Sequence, residues 1–284
     1  MVIHLNGKSL ALERREALAQ RVTAQLALAG RPPGLSVILV GDDPASATYV
    51  RSKERAAAKV GIDGQVIRLA ESVSQDEVLA TLRGLAEDPS VDGILVQLPL
   101  PHHLDEQAVL DAVPAHKDVD GFHAFNTGLL FQQRPPFVPC TPLGITHILD
   151  AYEIDVQGKN ALVIGRSQIV GRPMAELLLQ RHATVTIAHS RTRDLETLLG
   201  QADVVVAAVG RPEMIVASQL KPGCILIDVG INRVDGKLVG DIRWEGLEAV
   251  AAAATPVPGG VGPMTIAMLL ENSVLAWQRH CNLP

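Results

Sequence analysis

Residues 161–171 read ALVIGRSQIVG, and this stretch decides the fold class. An apolar run stops at a glycine turn and is followed by a predicted helix, which is how a parallel strand brings a dinucleotide pyrophosphate to a helix N-terminus. The match to G-x-G-x-x-G is loose, because Gly165 and Gly171 are six positions apart and Ser167 stands at the second glycine position. The alternative is an ordinary strand-turn-helix of an α/β repeat with surface arginines.

The next predicted strand, residues 184–189 (TVTIAH), indicates which dinucleotide is bound. A site for NAD normally has Asp or Glu at the end of this strand, where it holds the ribose 2′-hydroxyl. Here the first carboxylate is Asp194, whereas Arg166, Ser190 and Arg191 offer donors and positive charge. A 2′-phosphate would find charge-assisted hydrogen bonds there, so the sequence predicts NADP.

Predicted strands and helices alternate along the chain, which indicates an α/β fold with two α/β domains and mainly parallel sheets. Strands are predicted at residues 35–40, 65–69, 92–98, 184–189, 204–209 and 225–229, and helices at residues 8–29, 44–60, 75–86, 143–152 and 263–280. Asp43 is the predicted N-cap of the second helix, with Pro44 in its first turn. We expect residues 114–139 to be irregular and the alanine-rich residues 249–254 to form the end of a helix.

The predicted domain boundary lies near residues 139–141. Residues 1–139 form the first domain, and the last helix is expected to cross back to it, so that residues 265–284 join it. Residues 140–264 form a Rossmann-type domain, and we expect the active-site cleft to lie between the two domains.

Composition excludes several classes of protein. The 284 residues carry a net charge of −6, which argues against nucleic-acid and membrane-surface binders. No apolar run reaches the roughly 18–20 residues that span a bilayer, and the N-terminal residues do not resemble a signal peptide. Cys140, Cys224 and Cys281 are far apart, so we expect reduced thiols, a cytoplasmic protein and no zinc site. The nine histidines are scattered, and no metal site is predicted.

Four polar residues of the first domain map to the carboxyl edge of its predicted sheet, where open α/β sheets bind ligands. Tyr49 and Lys53 share one face of a helix, Gln97 ends a strand, and Asp120 lies in a later loop. Each also has an ordinary explanation: a packing tyrosine, a solvated lysine, a polar strand end and a turn-forming aspartate. Because all four map to the same edge of the predicted sheet, we favour the interpretation that they form a ligand-binding site.

These residue types suit acid–base chemistry on a flat, nitrogen-rich substrate. Burial would lower the pKa of Lys53 into the range of a general base, and Gln97 could orient its amine. Tyr49 could pack on a ring, and Asp120 could accept hydrogen bonds from an amino-pyrimidine edge. The glycine-rich residues 255–263 (TPVPGGVGP) would let backbone approach a ligand closely.

Six ordered motifs give the chain a family resemblance. They are YVRSK (49–53), DGILVQLPLP (92–101), KDVDGF (117–122), PCTPLG (139–144), GRSQIVG (165–171) and TPVPGGVGPMT (255–265). With these, the chain resembles the bifunctional methylenetetrahydrofolate dehydrogenase/methenyltetrahydrofolate cyclohydrolases over essentially its whole length. The resemblance implies oxidation of 5,10-methylenetetrahydrofolate by NADP⁺ and hydrolysis of the methenyl product to 10-formyltetrahydrofolate, in one cleft and without a metal.

The resemblance also implies roles for individual residues. Lys53 would be the general acid/base of hydrolysis, tuned by Gln97, while Tyr49 positions the folate and Asp120 binds its pterin. The first domain would then be the folate-binding catalytic domain, and the second would bind NADP. Further folate contacts would come from Val96, Leu98, Pro258, Gly259, Gly260, Val261 and Thr265, and NADP contacts from Gly165, Arg166, Ser167, Ser190 and Ile231. The family implies a homodimer formed through the nucleotide domain, and a place in one-carbon metabolism and purine biosynthesis.

Two other functions stay open at this point. One is a different two-domain NADP dehydrogenase that acts on a small hydroxy or amino acid and needs no tyrosine–lysine pair. The other is a non-catalytic NADP-binding regulatory or assembly protein, which would bind the nucleotide without turning over a folate.

Overall fold

A computed structural model describes residues 2–283 and divides them into two compact units. The six-stranded unit contains residues 2–11 and 141–265, and the three-stranded unit contains residues 12–140 and 266–283. The strands are β1 (Ile3–His4), β2 (Gly34–Val40), β3 (Asp63–Leu69), β4 (Gly93–Val96), β5 (Asn160–Ile164), β6 (Thr184–Ala188), β7 (Val204–Ala207), β8 (Ile225–Asp228), β9 (Asn232–Val234), β10 (Lys237–Val239) and β11 (Ala253–Ala254). The helices are α1 (Gly7–Ala29), α2 (Pro44–Val60), α3 (Gln75–Glu87), α4 (Glu106–Asp111), α5 (Ala124–Phe131), α6 (Cys140–Ala151), α7 (Gly171–Gln180), α8 (Leu195–Gln201) and α9 (Val261–His280).

The three-stranded unit has a parallel sheet in the order β3-β2-β4. All residues of β2 and β4 are buried, as expected for apolar strands covered on both faces. Asp43 caps α2 by accepting a hydrogen bond from the Ser46 backbone N–H at 2.7 Å, which confirms the predicted N-cap. Parallel pairing places the carboxyl ends of all three strands at one edge of the sheet.

The six-stranded unit has the strand order β1-β11-β8-β7-β5-β6, and all its neighbouring strands are parallel. Its central strand β7 is completely buried and contributes to an apolar core with β5 and β8. The hairpin β9–β10 forms a separate antiparallel ribbon. The α/β class with mainly parallel sheets is therefore confirmed.

Several sequence-based boundaries differ from the structure. The third predicted strand, residues 92–98, is shorter: β4 ends at Val96, so Gln97 follows the strand. Residues 114–139 are not irregular throughout, because they contain α5, whose first turn is capped by the His123 ring accepting from the Phe125 N–H. The last helix begins at Val261, two residues before its predicted start.

The predicted helix end at residues 249–254 is wrong. A short 3₁₀ turn, Leu247–Ala249, is followed by strand β11, which pairs on one side with β8 and on the other with β1. This tertiary pairing overrides the helix propensity of alanine. The same pairing explains why residues 2–11 group with the six-stranded unit, whereas the sequence-based division placed them in the first domain.

Candidate active site and dinucleotide site

Lys53 lies at the carboxyl edge of the three-stranded sheet, with its side chain almost completely buried (5 % exposed). Its Nζ donates a hydrogen bond to Oε1 of Gln97 at 3.1 Å and lies 4.7 Å from the centroid of the Tyr49 ring. Nε2 of Gln97 donates to the carbonyl oxygen of Leu98 at 2.6 Å, which turns Oε1 toward the lysine. Burial lowers the pKa of Lys53, because the ammonium form loses hydration.

Asp120 belongs to the same group of residues. Burial raises its pKa to about 6, while the positive charge of Lys53 acts in the opposite direction and the negative charge of Asp118 adds to the rise. Among the described residues no carboxylate lies within 4.0 Å of the Lys53 ammonium, so the two charges interact without forming an ion pair. The structure therefore brings Tyr49, Lys53, Gln97 and Asp120 together within one unit.

Asp118, which the sequence analysis did not single out, fixes the loop that carries Asp120. Its two carboxylate oxygens accept hydrogen bonds from the backbone N–H groups of Gly121, Phe122 and His123, at 3.1, 3.2 and 2.8 Å. The side chain of Asn126 donates a fourth hydrogen bond at 2.7 Å. Four hydrogen bonds to one buried carboxylate hold this loop rigidly, so Asp118 sets the position of Asp120, two residues further along the chain.

A second support comes from α9 and also escaped the sequence analysis. The buried amide of Asn272 donates to the backbone oxygens of Val119 and Val138, at 2.8 and 3.0 Å, and lies 3.7 Å from the Cys140 sulfur. Burial and the nearby Asp120 raise the pKa of the Cys140 thiol, so this cysteine is a packed thiol rather than a nucleophile. The sequence did carry one signal for this role: Asn272 is a polar residue within the largely apolar sequence of α9.

In the six-stranded unit, a tight glycine turn joins β5 to α7. Gly165 has φ +127°, and a Cβ there would collide with the carbonyl oxygen of Ala208. A Cβ on Gly171 would collide with the carbonyl oxygen of Gly165. The hydroxyl of Ser167 accepts from the backbone N–H groups of Val170 and Gly171, at 3.2 and 3.3 Å. Backbone is therefore packed against backbone where a phosphate-binding turn is expected.

Next to this turn is a cavity of about 450 Å³. Three of the residues predicted to contact NADP, Gly165, Arg166 and Ser190, line it, and so does Arg211, which the sequence analysis did not name. None of the residues that line the cavity is acidic. Arg191, which the sequence analysis counted among the nearby donors, does not line it. The carboxylate of Asp241 accepts from the backbone N–H of Arg211 at 2.9 Å and so fixes the loop that carries this arginine.

Three further predicted residues, Val96, Leu98 and Ile231, do not line this cavity. Val96 and Leu98 flank Gln97, with Val96 buried. Ile231 is 59 % exposed.

The loop that leads into α9 is tied to its own unit. The carbonyl oxygen of Gly259 accepts from Lys8 N–H at 2.9 Å, the Gly260 N–H donates to Pro256 O at 2.8 Å, and the Thr265 hydroxyl lies 3.0 Å from that of Thr141. Pro258 precedes Gly259 in this loop, and Val261 is the first residue of α9. The contacts of these residues with a folate stay predictions.

Within residues 2–283, no group of three or more His, Cys, Asp or Glu side chains is arranged to hold a metal ion. In the same part of the chain, no helix has the length and apolar character needed to cross a membrane.

A glycine turn beside a cavity lined by Arg166 and Arg211 in one α/β unit, and a buried lysine in a second, are features of a two-unit dinucleotide-binding protein. Family models resolve the class further. Residues 5–120 match the tetrahydrofolate dehydrogenase/cyclohydrolase catalytic domain, and residues 139–281 match the NAD(P)-binding domain of the same family. The chain belongs to the tetrahydrofolate dehydrogenase/cyclohydrolase family.

Individual relatives cover the chain almost completely. It is 54 % identical to the bifunctional protein FolD of Halothermothrix orenii, over 97 % of this chain and 98 % of the relative. The crystal structure of the bifunctional FolD methylenetetrahydrofolate dehydrogenase/cyclohydrolase from Campylobacter jejuni superposes with a TM-score of 0.95 at 47 % identity, over 98 % of this chain and 99 % of the other. The Trypanosoma brucei enzyme, solved with NADP and an inhibitor, gives a TM-score of 0.94 at 36 % identity, over 98 % of each chain.

Proposed function

We propose that this chain oxidises 5,10-methylenetetrahydrofolate to 5,10-methenyltetrahydrofolate with NADP⁺ and then hydrolyses the methenyl product to 10-formyltetrahydrofolate. The observation that carries the proposal is the buried Lys53, whose amine is held by Gln97 at 3.1 Å. The Halothermothrix orenii and Campylobacter jejuni relatives, both described as bifunctional, support it.

The residues around the glycine turn fit NADP. Gly165 and Gly171 allow the close backbone packing that forms a turn suited to a pyrophosphate, and the N-terminus of α7 adds a favourable dipole. Arg166, Ser190 and Arg211 line a cavity without acidic residues, and this donor set suits a 2′-phosphate. When bound, the nicotinamide supplies the acceptor for the hydride that leaves the methylene carbon.

In the hydrolytic half-reaction, water adds to the cationic methenyl carbon and loses one proton, which leaves a neutral hydroxyl adduct. The bond from that carbon to N5 then breaks as N5 gains a proton, and the hydroxyl loses its proton to solvent as the formyl C=O forms. Lys53 in its neutral form takes the proton from water and, once protonated, gives one to N5. Because burial lowers its pKa, Lys53 reaches the neutral form more readily than a solvent-exposed lysine does. Gln97 keeps the amine in place through both protonation states, because an amide oxygen accepts from either one.

The other site residues are assigned to binding. Asp120 in its ionised form accepts hydrogen bonds from the pterin, and Tyr49 packs beside the folate ring system. Further substrate contacts are assigned to Val96, Leu98, Pro258, Gly259, Gly260, Val261 and Thr265, and further NADP contacts to Ser167 and Ile231. On this assignment the three-stranded unit (residues 12–140 and 266–283) forms the folate-binding catalytic domain, and the six-stranded unit, which includes residues 2–11, forms the NADP domain.

The deciding experiment supplies purified protein with methylenetetrahydrofolate and either NADP⁺ or NAD⁺, and follows reduced nicotinamide and the methenyl intermediate together. The proposal expects NADPH formation with little accumulation of the methenyl compound. Turnover of small hydroxy or amino acids instead would favour a different dehydrogenase. Nucleotide binding without any turnover would favour the non-catalytic alternative.

We also propose a cytoplasmic homodimer that works in one-carbon metabolism and purine biosynthesis. Free thiols at Cys140, Cys224 and Cys281 support a reducing compartment. Exposed apolar side chains of the six-stranded unit, Ile231 (59 %) and Val234 (40 %), support self-association through that unit. Light scattering on an eluting peak measures the mass; a monomer at micromolar concentration would contradict the dimer.

A further inference from the structure

The three-stranded unit contains a second cavity, of about 580 Å³, that the proposed reaction does not use. Its lining includes Asp92, directly before β4, whereas Gln97 of the candidate active site directly follows β4. The five steps along the extended chain from residue 92 to residue 97 span about 16 Å. The cavity therefore lies at the amino edge of the sheet, and the acid–base site lies at the carboxyl edge. Its volume is that of a small-molecule site.

The only carboxylate in the lining is fully occupied. Asp92 receives two hydrogen bonds from Arg31, both at 2.7 Å, one from the Gly34 N–H at 2.8 Å, and one from Nδ1 of His280 at 2.8 Å. With four donors around its two oxygens and a guanidinium that neutralises it, Asp92 has no capacity left for a cationic ligand. The cavity is therefore not a site for a metal ion or an amine.

Arg279, a cation in the lining, is less well paired. The Arg279 guanidinium lies 5.1 Å from the Phe137 ring centroid and donates one hydrogen bond, at 2.9 Å, to the carbonyl oxygen of Pro136. Among residues 2–283 no carboxylate lies within 4.0 Å of it. Lys117 also lines the cavity, but its buried ammonium donates to the carbonyl oxygens of Leu85 and Asp88, at 3.2 and 2.8 Å, so Arg279 rather than Lys117 has donors to spare. A fixed guanidinium with unused donors is a ready partner for a carboxylate or related anion.

Much of the remaining lining is apolar and aromatic. Phe125 is 58 % exposed although it is a large apolar side chain, and Phe137 is almost fully buried. Ala115 and Ala276 add small uncharged side chains to the lining. Aromatic walls beside an arginine that stacks on one of them suit a planar ring bearing a negative charge.

We propose that this cavity is a binding site for a small planar aromatic anion, distinct from the folate and NADP sites. Arg279 pairs with the anionic group, and Phe125 and Phe137 contact the ring. The proposal does not depend on the reaction assigned above, because every residue it uses lies at the amino edge of the three-stranded unit.

The cavity also shares a wall with the loop of Asp120. Asn126 lines it, and the same side chain donates to the Asp118 carboxylate at 2.7 Å and to the Ala115 carbonyl oxygen at 2.9 Å. Asp118 in turn holds the backbone that follows Asp120. The bound anion would therefore contact a side chain that positions the loop carrying Asp120.

The test uses 2-naphthoate as the probe and a ligand-observed NMR titration of the full chain, with saturating NADP⁺ present to fill the dinucleotide site. The wild-type protein is expected to bind with a Kd of about 1 mM or tighter. The uncharged 2-naphthamide should bind roughly ten- to a hundredfold more weakly, because it cannot form the charge-assisted hydrogen bonds.

Two variants locate the probe. Arg279→Gln should weaken naphthoate roughly ten- to a hundredfold, and Phe125→Ala should weaken it about tenfold. Arg83→Gln, at an exposed position of α3, and Lys53→Met should leave the affinity unchanged. Absence of naphthoate binding up to 10-fold above the expected Kd, equal binding of the amide, equal binding by Arg279→Gln and Phe125→Ala, or loss of binding in Lys53→Met would each overturn the proposal.

Discussion

The Nζ of Lys53 lies 3.1 Å from Oε1 of Gln97, and the two side chains come from a helix and from the residue after a neighbouring strand. The acceptor is an amide oxygen and carries no charge. It therefore fixes the amine without adding the strong stabilisation of the ammonium form that a carboxylate at this distance would give. This pairing reconciles a well-oriented lysine with a lowered pKa.

Lys53→Met should abolish hydrolysis of methenyltetrahydrofolate, with a loss of roughly 10²–10⁴-fold in rate, because the general acid/base is removed. The decay of methenyltetrahydrofolate absorbance, corrected for the spontaneous reaction, measures it. Lys59→Met is the matched control, since Lys59 is an exposed residue in the last turn of the same helix. If Lys53→Met hydrolyses methenyltetrahydrofolate at the wild-type rate, Lys53 is not the general acid/base.

Gln97→Glu should raise the pKa of Lys53, because a carboxylate would replace the amide oxygen 3.1 Å from the ammonium. The pH dependence of kcat for hydrolysis should then move to higher pH by about 1–3 units, with a lower rate at neutral pH. Gln107→Glu, on the distant helix α4, serves as the control. An unchanged pH profile would mean that Gln97 does not act on the lysine.

The raised pKa of Asp120, about 6, predicts an acidic limb in the folate kinetics. If the ionised carboxylate accepts from the pterin, kcat/KM for methylenetetrahydrofolate should fall as the pH drops below 6, mainly through KM. Asp120→Asn should have a low kcat/KM without this limb. If the fall in kcat/KM at acidic pH persists in Asp120→Asn, a group other than Asp120 causes it.

The same shift has a consequence for stability. Folding raises the pKa of Asp120 from 3.8 to about 6, so its contribution is present below pH 3.8 and is lost as the pH rises through 6. The free energy of unfolding of Asp120→Asn, relative to the wild type, should therefore increase between pH 4 and pH 7, by roughly 1–3 kcal/mol. Urea titrations at several pH values measure this difference, and a decrease over that interval would contradict it.

Gly171→Ala should weaken NADP binding and destabilise the fold by roughly 1–3 kcal/mol, because the new methyl would collide with the backbone of Gly165. Gly200→Ala in α8 is the matched control: no atom lies closer than 4.0 Å to the added Cβ, so its stability should stay within about 1 kcal/mol of the wild type. Calorimetric NADP titrations and thermal unfolding report the two effects. Equal behaviour of the two variants would show that the turn tolerates a side chain.

The long apolar strands could be predicted from sequence because each carries its own signal. Strand β2, for example, is a continuous run of buried residues between a proline and a glycine. Strands β1 and β11 carry no such signal, since each is two residues long and exists only because a distant segment pairs with it. Helix α5 was hidden for a related reason, in that it is short and lies in a stretch rich in turn-forming residues.

Some residues of the candidate site could likewise be predicted from the sequence, and others could not. The positions of Lys53 and Gln97 follow from the rule that parallel strands end at one edge, and their contact is a direct result. Asp118 and Asn272 act through backbone groups brought close by the tertiary fold, so no spacing in the sequence reveals their targets. Arg211 lies beyond a different strand from Arg166, and the cavity that they both line could be identified only from the folded chain.

Strand β1 also bears on whether the dinucleotide-binding segment can be produced alone. The N–H groups of Ile3 and Leu5 donate to the backbone oxygens of Ala252 and Ala254, at 2.9 and 2.8 Å. A shortened chain of residues 140–264 would lack these partners and leave β11 as a bare sheet edge, which invites pairing with other molecules and aggregation. The few residues near the N-terminus thus protect the far end of a sheet whose other five strands begin more than 150 positions later.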